Sequence, residues 1–344
     1  MNAGAIWMVA TRTFFVGFDV GGTKIAAGVA NGDGRFLDVV RMATPPAGEL
    51  VDLLSATVQH FGERLRAMGA HLGAVGVGIP GQVRDGVVRQ AVNLGIDECP
   101  LRDLLAMRVG VPVVVENDTS AAALGAFHLL QQREPLRSLV YLGIGTGFSA
   151  GIVLDGRVYR GSNGLAGEIG HVVVDPDGAP CACGARGCLE TVVSGTGLAR
   201  QAEIALVHVP ESLLAEAEPL DARAVYAAAR QGDRLAQHLV ERSAAMLAQA
   251  IAWLVFGLDV DKVVLGGGVA READVLLPIV RRALRAQYGH SRLFDLFRLD
   301  EKLTVLSGET EAGMVGAWAL AHAAREKAEP QAEKGGGGTE SKSA

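Results

Sequence analysis

The chain has 344 residues and a mass of 35.8 kDa, enough for about two domains of roughly 100–200 residues each. Its 45 glycines accompany only 12 prolines and 49% hydrophobic residues, which excludes a low-complexity or collagen-like chain. The formal net charge of -6 gives no electrostatic footprint for nucleic acid, although backbone amides can still hold a small anion such as phosphate.

β-rich runs and helical periodicity predict an alternating order of elements in the first part of the chain. The expected elements are strands Phe14–Asp19, Ile25–Ala30 and Arg35–Arg41, a helix Glu49–Met68, strands Ala74–Gly78 and Val111–Val115, and a helix Thr119–Leu130. Gly21-Gly22 separates the first two strands, and Pro80-Gly81 stops the fourth.

A similar order begins again about half a chain later. The expected strands are Ser138–Leu142, Ser149–Leu154 and Arg157–Arg160, with Gly145-Thr146-Gly147 after the first and a hairpin turn at Asp155-Gly156. The chain is then mostly helical to about Gly257, and strand Lys262–Leu265 runs into Gly266-Gly267-Gly268. This weak repeat predicts two similar α/β domains that face each other, each contributing a glycine turn to a shared cleft.

Neither the N-terminal segment nor the most apolar window predicts a targeting or membrane-spanning segment. Met1–Thr11 has no basic stretch ahead of an apolar run, and the most apolar window, Ala244–Leu258, is short for a membrane span and is expected to be a buried helix. We expect a soluble cytoplasmic protein, with residues 328–344 as a disordered tail.

Two glycine turns are candidates for holding phosphate groups, because glycine lets backbone N–H groups approach phosphate oxygens. The first is Gly21-Gly22-Thr23-Lys24, preceded by Asp19, whose carboxylate can hold Mg²⁺, and the second is Gly145-Thr146-Gly147. Each turn alone also fits an ordinary hairpin, but a pair is what clamping a polyphosphate from two domains requires. Gly267 and Gly268 are a weaker candidate for a nucleotide base or ribose.

Two groups of polar residues are candidates for ligand binding, one at the end of a predicted strand, where α/β proteins bind ligands, and one around the cysteines. Asn117 and Asp118 end the strand before the Thr119 helix, so Asp118 fits either a general base or a helix N-cap. Glu168, His171 and Glu190 lie around the cysteines and fit either ligands for sugar hydroxyls or solvated surface groups.

Three of the four cysteines lie within eight residues and predict a zinc site. Cys181, Cys183 and Cys188 supply three thiols, and His171, ten residues upstream, supplies an imidazole, which together complete a closed tetrahedral set. Free buried cysteines or a disulfide are the alternatives, but a Cys-x-Cys pair has poor geometry for a disulfide. With no open coordination position the zinc is expected to be structural, and Cys99 is assigned no role.

These motifs together resemble the ROK family of bacterial sugar kinases, repressors and related proteins, from about Phe14 to Ala324. The resemblance rests on Asp19–Lys24, Gly78–Gly81, Glu116–Asp118, the run Gly161–His171 and the cysteine segment to Glu190. It implies the duplicated actin/hexokinase/Hsp70-like (ribonuclease H-like) α/β fold, with ATP in the cleft between two domains. The implied domains are residues 12–118 with 312–327, and residues 119–311, which include the zinc loop 171–188.

The resemblance also implies roles for single residues. Asp118 is implied as the base acting on a sugar 6-hydroxyl, and the implied sugar ligands are Asn93, Asn117, Asp118, Glu168, His171 and Glu190. The implied phosphate and nucleotide contacts are Asp19, Gly21, Gly22, Thr23, Lys24, Gly145, Thr146, Gly147, Gly267 and Gly268. The expected activity is ATP- and Mg²⁺-dependent phosphorylation of glucose to glucose 6-phosphate, by a homodimer or homotetramer with one structural zinc per chain.

Alternative functions remain open at this level. Ser120 and Ile96-Asp97 depart from the residues usual in the family near the sugar, so an N-acetylmannosamine, N-acetylglucosamine, mannose or fructose kinase is the alternative. Polyphosphate is the alternative phosphoryl donor. A sugar-responsive repressor is disfavoured because only about a dozen residues precede the first strand, and a non-catalytic sensor is disfavoured by Asp118 and the two phosphate turns.

Overall fold

The first half of the protein is built on a five-stranded sheet. A computed structural model describes residues 12–306 and 311–328, with backbone only at 327 and 328. The elements of this half are β1 (Arg12–Val20), β2 (Lys24–Asn31), β3 (Phe36–Ala43), α1 (Leu50–Ala67), β4 (Ala70–Ile79), β5 (Gln82–Arg84), β6 (Val87–Ala91), β7 (Ile96–Cys99), α2 (Leu101–Val109), β8 (Val113–Asn117) and α3 (Asp118–Gln131). The strand order is β3-β2-β1-β4-β8, antiparallel through β3, β2 and β1 and parallel through β1, β4 and β8.

The second half repeats this plan. Its elements are β9 (Leu139–Ile144), β10 (Phe148–Leu154), β11 (Arg157–Val158), α4 (Glu190–Val193), α5 (Gly195–Leu206), α6 (Ala222–Arg230), α7 (Arg234–Leu258), β12 (Lys262–Gly266), α8 (Ala273–Tyr288), α9 (Arg292–Phe297), β13 (Leu303–Val305) and α10 (Ala312–Ala328). The order β11-β10-β9-β12-β13 has the same antiparallel and parallel pairings as the first sheet. The predicted repeat and the predicted duplicated α/β fold are confirmed.

A small antiparallel sheet, β5-β6-β7, and helix α2 were missed by the sequence analysis. These strands are three to five residues long, and most of their residues are partly or fully exposed, so they lack the long apolar runs that reveal a strand. The small sheet matters because it carries the chain from the end of β4 past Asn93 and back to β8.

Helices α3 and α10 cross at very short range. A Cβ atom on Gly316 of α10 would lie 1.7 Å from the carbonyl oxygen of Ala121 in α3, and one on Gly125 of α3 would lie 1.8 Å from the carbonyl oxygen of Ala312. Only glycine permits such an approach, so the crossing depends on these two positions. It brings the start of α10 to the end of β1, where Asp19 lies against Gly313.

Helix α7 contains the apolar window Ala244–Leu258 and packs in the core of the second half, as predicted. By length and composition alone it could cross a membrane, but 61% of its most apolar window is buried inside the protein. The predicted tail lies outside the described residues from position 329 onward, and Ala328 is the last residue of α10.

Candidate active site

Asn117 and Asp118 occupy the junction of β8 and α3. Asn117 is the N-cap of α3: its Oδ1 accepts a hydrogen bond from the backbone N–H of Ser120 at 3.1 Å, and its Nδ2 donates to the carbonyl of Gly81 at 3.1 Å. The capping role that was the alternative for Asp118 therefore belongs to Asn117. Asp118 is the first residue of the helix itself.

The Asp118 carboxyl lies in a confined, partly negative environment. Its Oδ1 accepts a hydrogen bond from the backbone N–H of Thr119 at 2.7 Å. Burial raises the pKa of Asp118 above its ordinary value, and the hydrogen bonds to Thr119 oppose that rise. A carboxylate with a raised pKa is a stronger base than an exposed one once it is deprotonated.

Asp19, at the end of β1, is the second carboxyl of this region. Burial, followed by the nearby charges of Asp118 and Glu311, raises the pKa of Asp19 to about 7, while Lys24 acts in the opposite direction. Carboxylates gathered in this way favour a divalent cation, which relieves their mutual repulsion.

The first glycine turn is fixed by hydrogen bonds at Gly21, and its other residues are exposed to solvent. Gly21 donates its N–H to the carbonyl of Lys24 at 2.9 Å, and its carbonyl accepts from the Thr44 hydroxyl at 2.7 Å. Gly22, Thr23 and Lys24 are exposed. Asn93 lies directly beside this turn, because a Cβ atom on Gly22 would be 3.4 Å from that of Asn93.

The second glycine turn rests on the start of α5. Gly145 accepts a hydrogen bond from the N–H of Gly195 at 2.7 Å, and the carbonyl of Thr146 accepts from the Thr196 hydroxyl at 2.6 Å. Next to the turn, Glu190 Oε2 accepts from the N–H of Phe148 at 2.9 Å. Glu190 is thereby fixed beside Gly147, whose Cβ position lies 2.7 Å from the same oxygen.

Gly267 and Gly268 follow β12 next to the second turn. The Gly267 N–H donates to the Tyr141 hydroxyl at 3.1 Å, and a Cβ atom on Gly267 would lie 2.5 Å from the carbonyl of Ile144. Burial raises the pKa of Tyr141 to about 12, so its hydroxyl stays protonated and retains a donor. Gly268 has open space where a side chain would be.

The two halves meet around the start of α3. The hydroxyls of Thr119 and Ser149 lie 2.8 Å apart, which joins α3 to the strand that follows the second turn. Arg160, just beyond β11, forms an ion pair with Glu116 of β8. Asp118 thus lies where residues from both sheets converge.

The predicted zinc ligands do come together. The ligand atoms of His171, Cys181, Cys183 and Cys188 all lie within 4.8 Å of one another. Cys181 Sγ is 3.7 Å from His171 Nδ1, and Cys183 Sγ is 3.6 Å from Cys188 Sγ. Sulfurs at the corners of a tetrahedron with Zn–S bonds of about 2.3 Å would be about 3.8 Å apart, so the set fits zinc.

His171 also connects the cysteines to Glu168. Its Nδ1 faces the sulfurs, while its Nε2 lies 3.7 Å from Glu168 Oε2. The ring therefore has one nitrogen for a metal and one directed to a neighbouring polar group.

The sequence analysis missed four residues of this region: Thr44, Tyr141, Ser149 and Arg160. Nothing in their local sequence distinguishes them, because their roles depend on contacts with distant parts of the chain. Glu116 was noticed only as part of the Glu-Asn-Asp motif, and its burial could not be seen from sequence.

A duplicated sheet with a glycine turn in each half and carboxylates where the halves meet is the architecture of the actin/hexokinase-like class. Residues 15–324 match the ROK family, and the chain belongs to it.

Individual relatives agree with this assignment. A glucokinase of Halalkalibacterium halodurans is 34% identical over 88% of this chain and 93% of its own length. An N-acetylmannosamine kinase of Escherichia coli is 33% identical over 88% of this chain and 96% of its own. The crystal structure of a ROK glucokinase from Streptomyces griseus with glucose and AMPPNP is 34% identical, covers 90% of this chain and 99% of that one, and has a TM-score of 0.73.

Proposed function

We propose that the protein is an ATP-dependent hexose kinase that phosphorylates glucose at its 6-hydroxyl. The observation that carries this proposal is the position of Asp118, a carboxyl with a raised pKa at the junction of the two halves. The glucokinase relatives and the Streptomyces griseus structure, which holds glucose and an ATP analogue, support this choice of substrates.

The acceptor sugar binds near Asp118 in this proposal. Its hydroxyls are held by hydrogen-bonding side chains on both sides of Asp118: Asn93, Asn117, Glu168, His171 and Glu190. Carboxylates suit this work because each can accept hydrogen bonds from two neighbouring hydroxyls. His171 would act through Nε2, since its Nδ1 faces the cysteines.

The phosphates of ATP bind between the two glycine turns. Gly22, Thr23 and Lys24 offer donors from one half, and Thr146 and Gly147 from the other. The N–H groups of Gly21 and Gly145 instead close the two turns by donating to the carbonyls of Lys24 and Gly147. Gly267 and Gly268 border the space for adenosine, with Tyr141 behind them. Asp19 would hold Mg²⁺, which supplies neutralisation of the phosphate charge when bound.

The chemistry left to the protein is positioning and the movement of one proton. Asp118 accepts the proton of the 6-hydroxyl as that oxygen forms a bond to the γ-phosphorus of ATP. The bond from this phosphorus to the β,γ-bridging oxygen breaks, and ADP leaves. The N–H of Thr119 orients the carboxylate through Oδ1. Water must be kept out during this step, because it competes with the sugar for the phosphoryl group.

A structural zinc ion completes the proposal. Three thiolates and the His171 imidazole leave no open position on a four-coordinate ion, so the metal would fix the loop and the orientation of the His171 ring.

N-acetylmannosamine is the second candidate acceptor. A kinase for that sugar is 33% identical to this chain, close to the identity of the glucokinases. The departures from the family pattern near the sugar side are Ser120, buried at the start of α3, and Ile96-Asp97 on β7, of which Ile96 is buried and Asp97 exposed. The acetamido group needs space that a hydroxyl does not, so the two sugars can be separated by kinetics.

A coupled assay of ADP release tests the proposal. We would measure kcat/KM with ATP·Mg²⁺ for glucose, mannose, fructose, N-acetylglucosamine and N-acetylmannosamine, and repeat the best sugar with polyphosphate as donor. The highest kcat/KM is expected for glucose with ATP. Turnover of none of these sugars would refute the kinase, and a preference for N-acetylmannosamine would refute the acceptor.

We also propose that the protein is a homodimer or homotetramer. Most of the window Ala244–Leu258 is buried within the chain, which leaves Trp253, with 38% of its surface exposed, as its largest exposed apolar group. Light scattering coupled to size-exclusion chromatography measures the mass directly, and a value near 36 kDa would contradict the proposal.

A further inference from the structure

Glu116 and Arg160 form an ion pair that joins the two halves beside Asp118. Glu116 lies in β8, two residues before Asp118, and is only 4% exposed. Both Nε and Nη2 of Arg160 bond to Glu116 Oε2, at 2.6 and 2.5 Å. The other carboxylate oxygen, Oε1, accepts from the N–H of Asn117 at 3.1 Å. Both oxygens of this buried carboxylate are therefore occupied.

Stability alone is a weak reason for such a pair. Removing a carboxylate from water costs free energy, and the attraction to its partner often does no more than offset that cost. Apolar residues in the same place frequently give an equally stable protein. The three positions of β8 that precede Glu116 are all filled by valine. A glutamate in this core strand therefore calls for another explanation, and its connection to Arg160 offers one.

Arg160 also controls the loop that leads to Glu168 and His171. Its carbonyl accepts from the N–H of Ala166 at 3.1 Å, which closes the loop between them. The carbonyl of the next residue, Gly167, accepts from the N–H of Ala150 in β10 at 2.8 Å. The far side of the loop rests on the first half, where the Cβ position of Gly164 lies 3.3 Å from the carbonyl of Val83 in β5.

We propose that Arg160 is a positioning residue that fixes the end of β8, which carries Asn117 and Asp118, against the loop that carries Glu168 and His171. Its side chain holds the first segment and its backbone holds the second. The guanidinium is suited to this role because its planar fork fixes direction as well as distance. The catalytic consequence rests on the proposed kinase function, whereas the physical link between the two segments does not.

Loss of this link should lower turnover more than sugar binding. A displacement of about 1 Å between base and acceptor can cost on the order of 100-fold in rate, while hydrogen bonds to the sugar tolerate small shifts better. We expect Arg160→Met to lower kcat for glucose by about 10- to 100-fold and to change KM by less than about threefold. Arg160→Lys, which returns a positive charge to Glu116, should recover most of the lost kcat.

Arg285→Met is the matched control. Nε and Nη2 of Arg285 also bond to a single carboxylate oxygen, Asp300 Oδ2, at 3.0 and 2.7 Å, and that pair lies between α8 and the segment before β13. This variant should keep the kcat and KM of the unmodified protein. A double variant, Glu116→Gln with Arg160→Met, should lose no more kcat than the worse single variant, because both changes break one link.

Hydrogen–deuterium exchange provides a readout that does not depend on activity. In Arg160→Met, amides in residues 113–120 and 161–171 should exchange faster than in the unmodified protein, and Arg285→Met should not show this effect. If the unmodified protein phosphorylates no sugar, the kinase proposal fails and exchange still decides the link.

Three results would overturn the inference. The first is an Arg160→Met variant with unchanged kcat or unchanged exchange in both segments. The second is an Arg160→Lys variant no better than Arg160→Met, or a double variant whose loss is the product of the single losses. The third is a lowered melting temperature with exchange raised evenly along the chain and unchanged kinetics of the folded enzyme, which would make the pair merely structural.

Discussion

Asp118 and Asn117 are adjacent, yet their side chains are committed to different tasks. Asn117 uses its amide to start α3 and to hold Gly81, so it is fixed by the backbone. Asp118 follows the cap and is free of that duty, while Thr119 orients its carboxylate. The cap at Asn117 fixes the next residue, Asp118, at the point where strand and helix join, which suits the role of base that we propose for it.

Replacing the base should remove turnover and leave binding. Asp118→Asn keeps the size and shape of the side chain but cannot accept the proton of the 6-hydroxyl. We expect kcat to fall by about 10²- to 10⁴-fold, with glucose affinity within a few-fold of the unmodified protein. Steady-state kinetics and calorimetric titration of glucose measure the two effects.

The matched control is Asp155→Asn, in the exposed hairpin turn between β10 and β11. It should leave both kcat and glucose affinity unchanged.

The unmodified enzyme should also lose kcat on acidification at a pH above the ordinary carboxyl range, because burial raises the pKa of Asp118 and a protonated carboxyl cannot accept the proton of the 6-hydroxyl. Near-normal kcat in Asp118→Asn would remove Asp118 from this role.

At the scale of residues, the sequence reveals candidate functional groups when they are clustered in the chain. The cysteines and Asn117-Asp118 were proposed in this way, and the structure places the four predicted zinc ligands together. Arg160 and Tyr141 were missed, because each acts on a partner far away in sequence. Burial is a property of the fold, so the unusual position of Glu116 could not be predicted either.

The zinc loop is an element that has little regular structure of its own. Between the turn at Ile169–His171 and α4, the described backbone contains bridges and turns rather than helices or strands. A bound metal would stabilise such a loop, since ligand binding replaces the packing that a helix or strand would supply.

We therefore expect about one zinc per chain in the purified protein, and loss of that zinc in Cys183→Ser. The melting temperature should fall by several degrees in the variant and after treatment with a chelator. Cys99→Ser is the control, because Cys99 lies in β7 outside the cluster, and it should retain the metal. Metal analysis that finds no zinc in an active enzyme would contradict the ligand assignment.

The crossing of α3 and α10 depends on backbone contact. Gly316→Ala would place a methyl group 1.7 Å from the carbonyl oxygen of Ala121, so the helices must separate. We expect this substitution to lower the free energy of unfolding by about 1–3 kcal/mol or more. Denaturant titration would measure the loss.

Gly62→Ala is the matched control in another helix. Its methyl group would have only the Arg66 guanidinium nearby, at 3.8 Å, so the better helix propensity of alanine should stabilise the protein by up to about 1 kcal/mol. Equal unfolding midpoints for the two variants would show that the crossing tolerates a wider separation.

At the scale of elements, the sequence predicted those strands and helices that have a strong local pattern. The strands of the two large sheets for which bounds were expected, and helices α1 and α3, agree with the expected ones within a few residues. Helix α7 ends at Leu258 as expected but begins at Arg234, ten residues before the predicted window. Strands β5, β6 and β7 were missed because short, half-exposed segments depend on their neighbours for pairing. The extra length of β4 was missed because Ala70–Gly73 has no strand signal of its own.

The whole molecule repeats one plan twice, and the repeat was visible in the sequence because both halves begin with a strand, a glycine turn and a strand. The chain passes from one sheet to the other through α3 and returns through α10, which packs on β1 and β4. We propose that this crossing is the hinge between residues 12–118 with 312–327 and residues 119–311. A change in the angle between the two intact helices would let the two sheets approach each other without unfolding either.

Binding of sugar should draw the halves together. The proposed sugar ligands come from both halves, so a bound sugar gains contacts only when the cleft narrows, and that gain drives closure. We expect the radius of gyration from small-angle X-ray scattering to decrease on addition of glucose with a non-hydrolysable ATP analogue. The Asp118→Asn variant should close as well, because it retains the ligands on both sides.

Closure on sugar binding would also disfavour phosphoryl transfer to water. If the groups around Asp118 assemble only with the acceptor, hydrolysis of ATP without sugar should be slow. If scattering is unchanged by both ligands while glucose is phosphorylated, the cleft is already formed in the free enzyme. Selection of the acceptor would then rest on the hydrogen bonds of the proposed sugar ligands alone, because no assembly step would remain to discriminate between sugar and water.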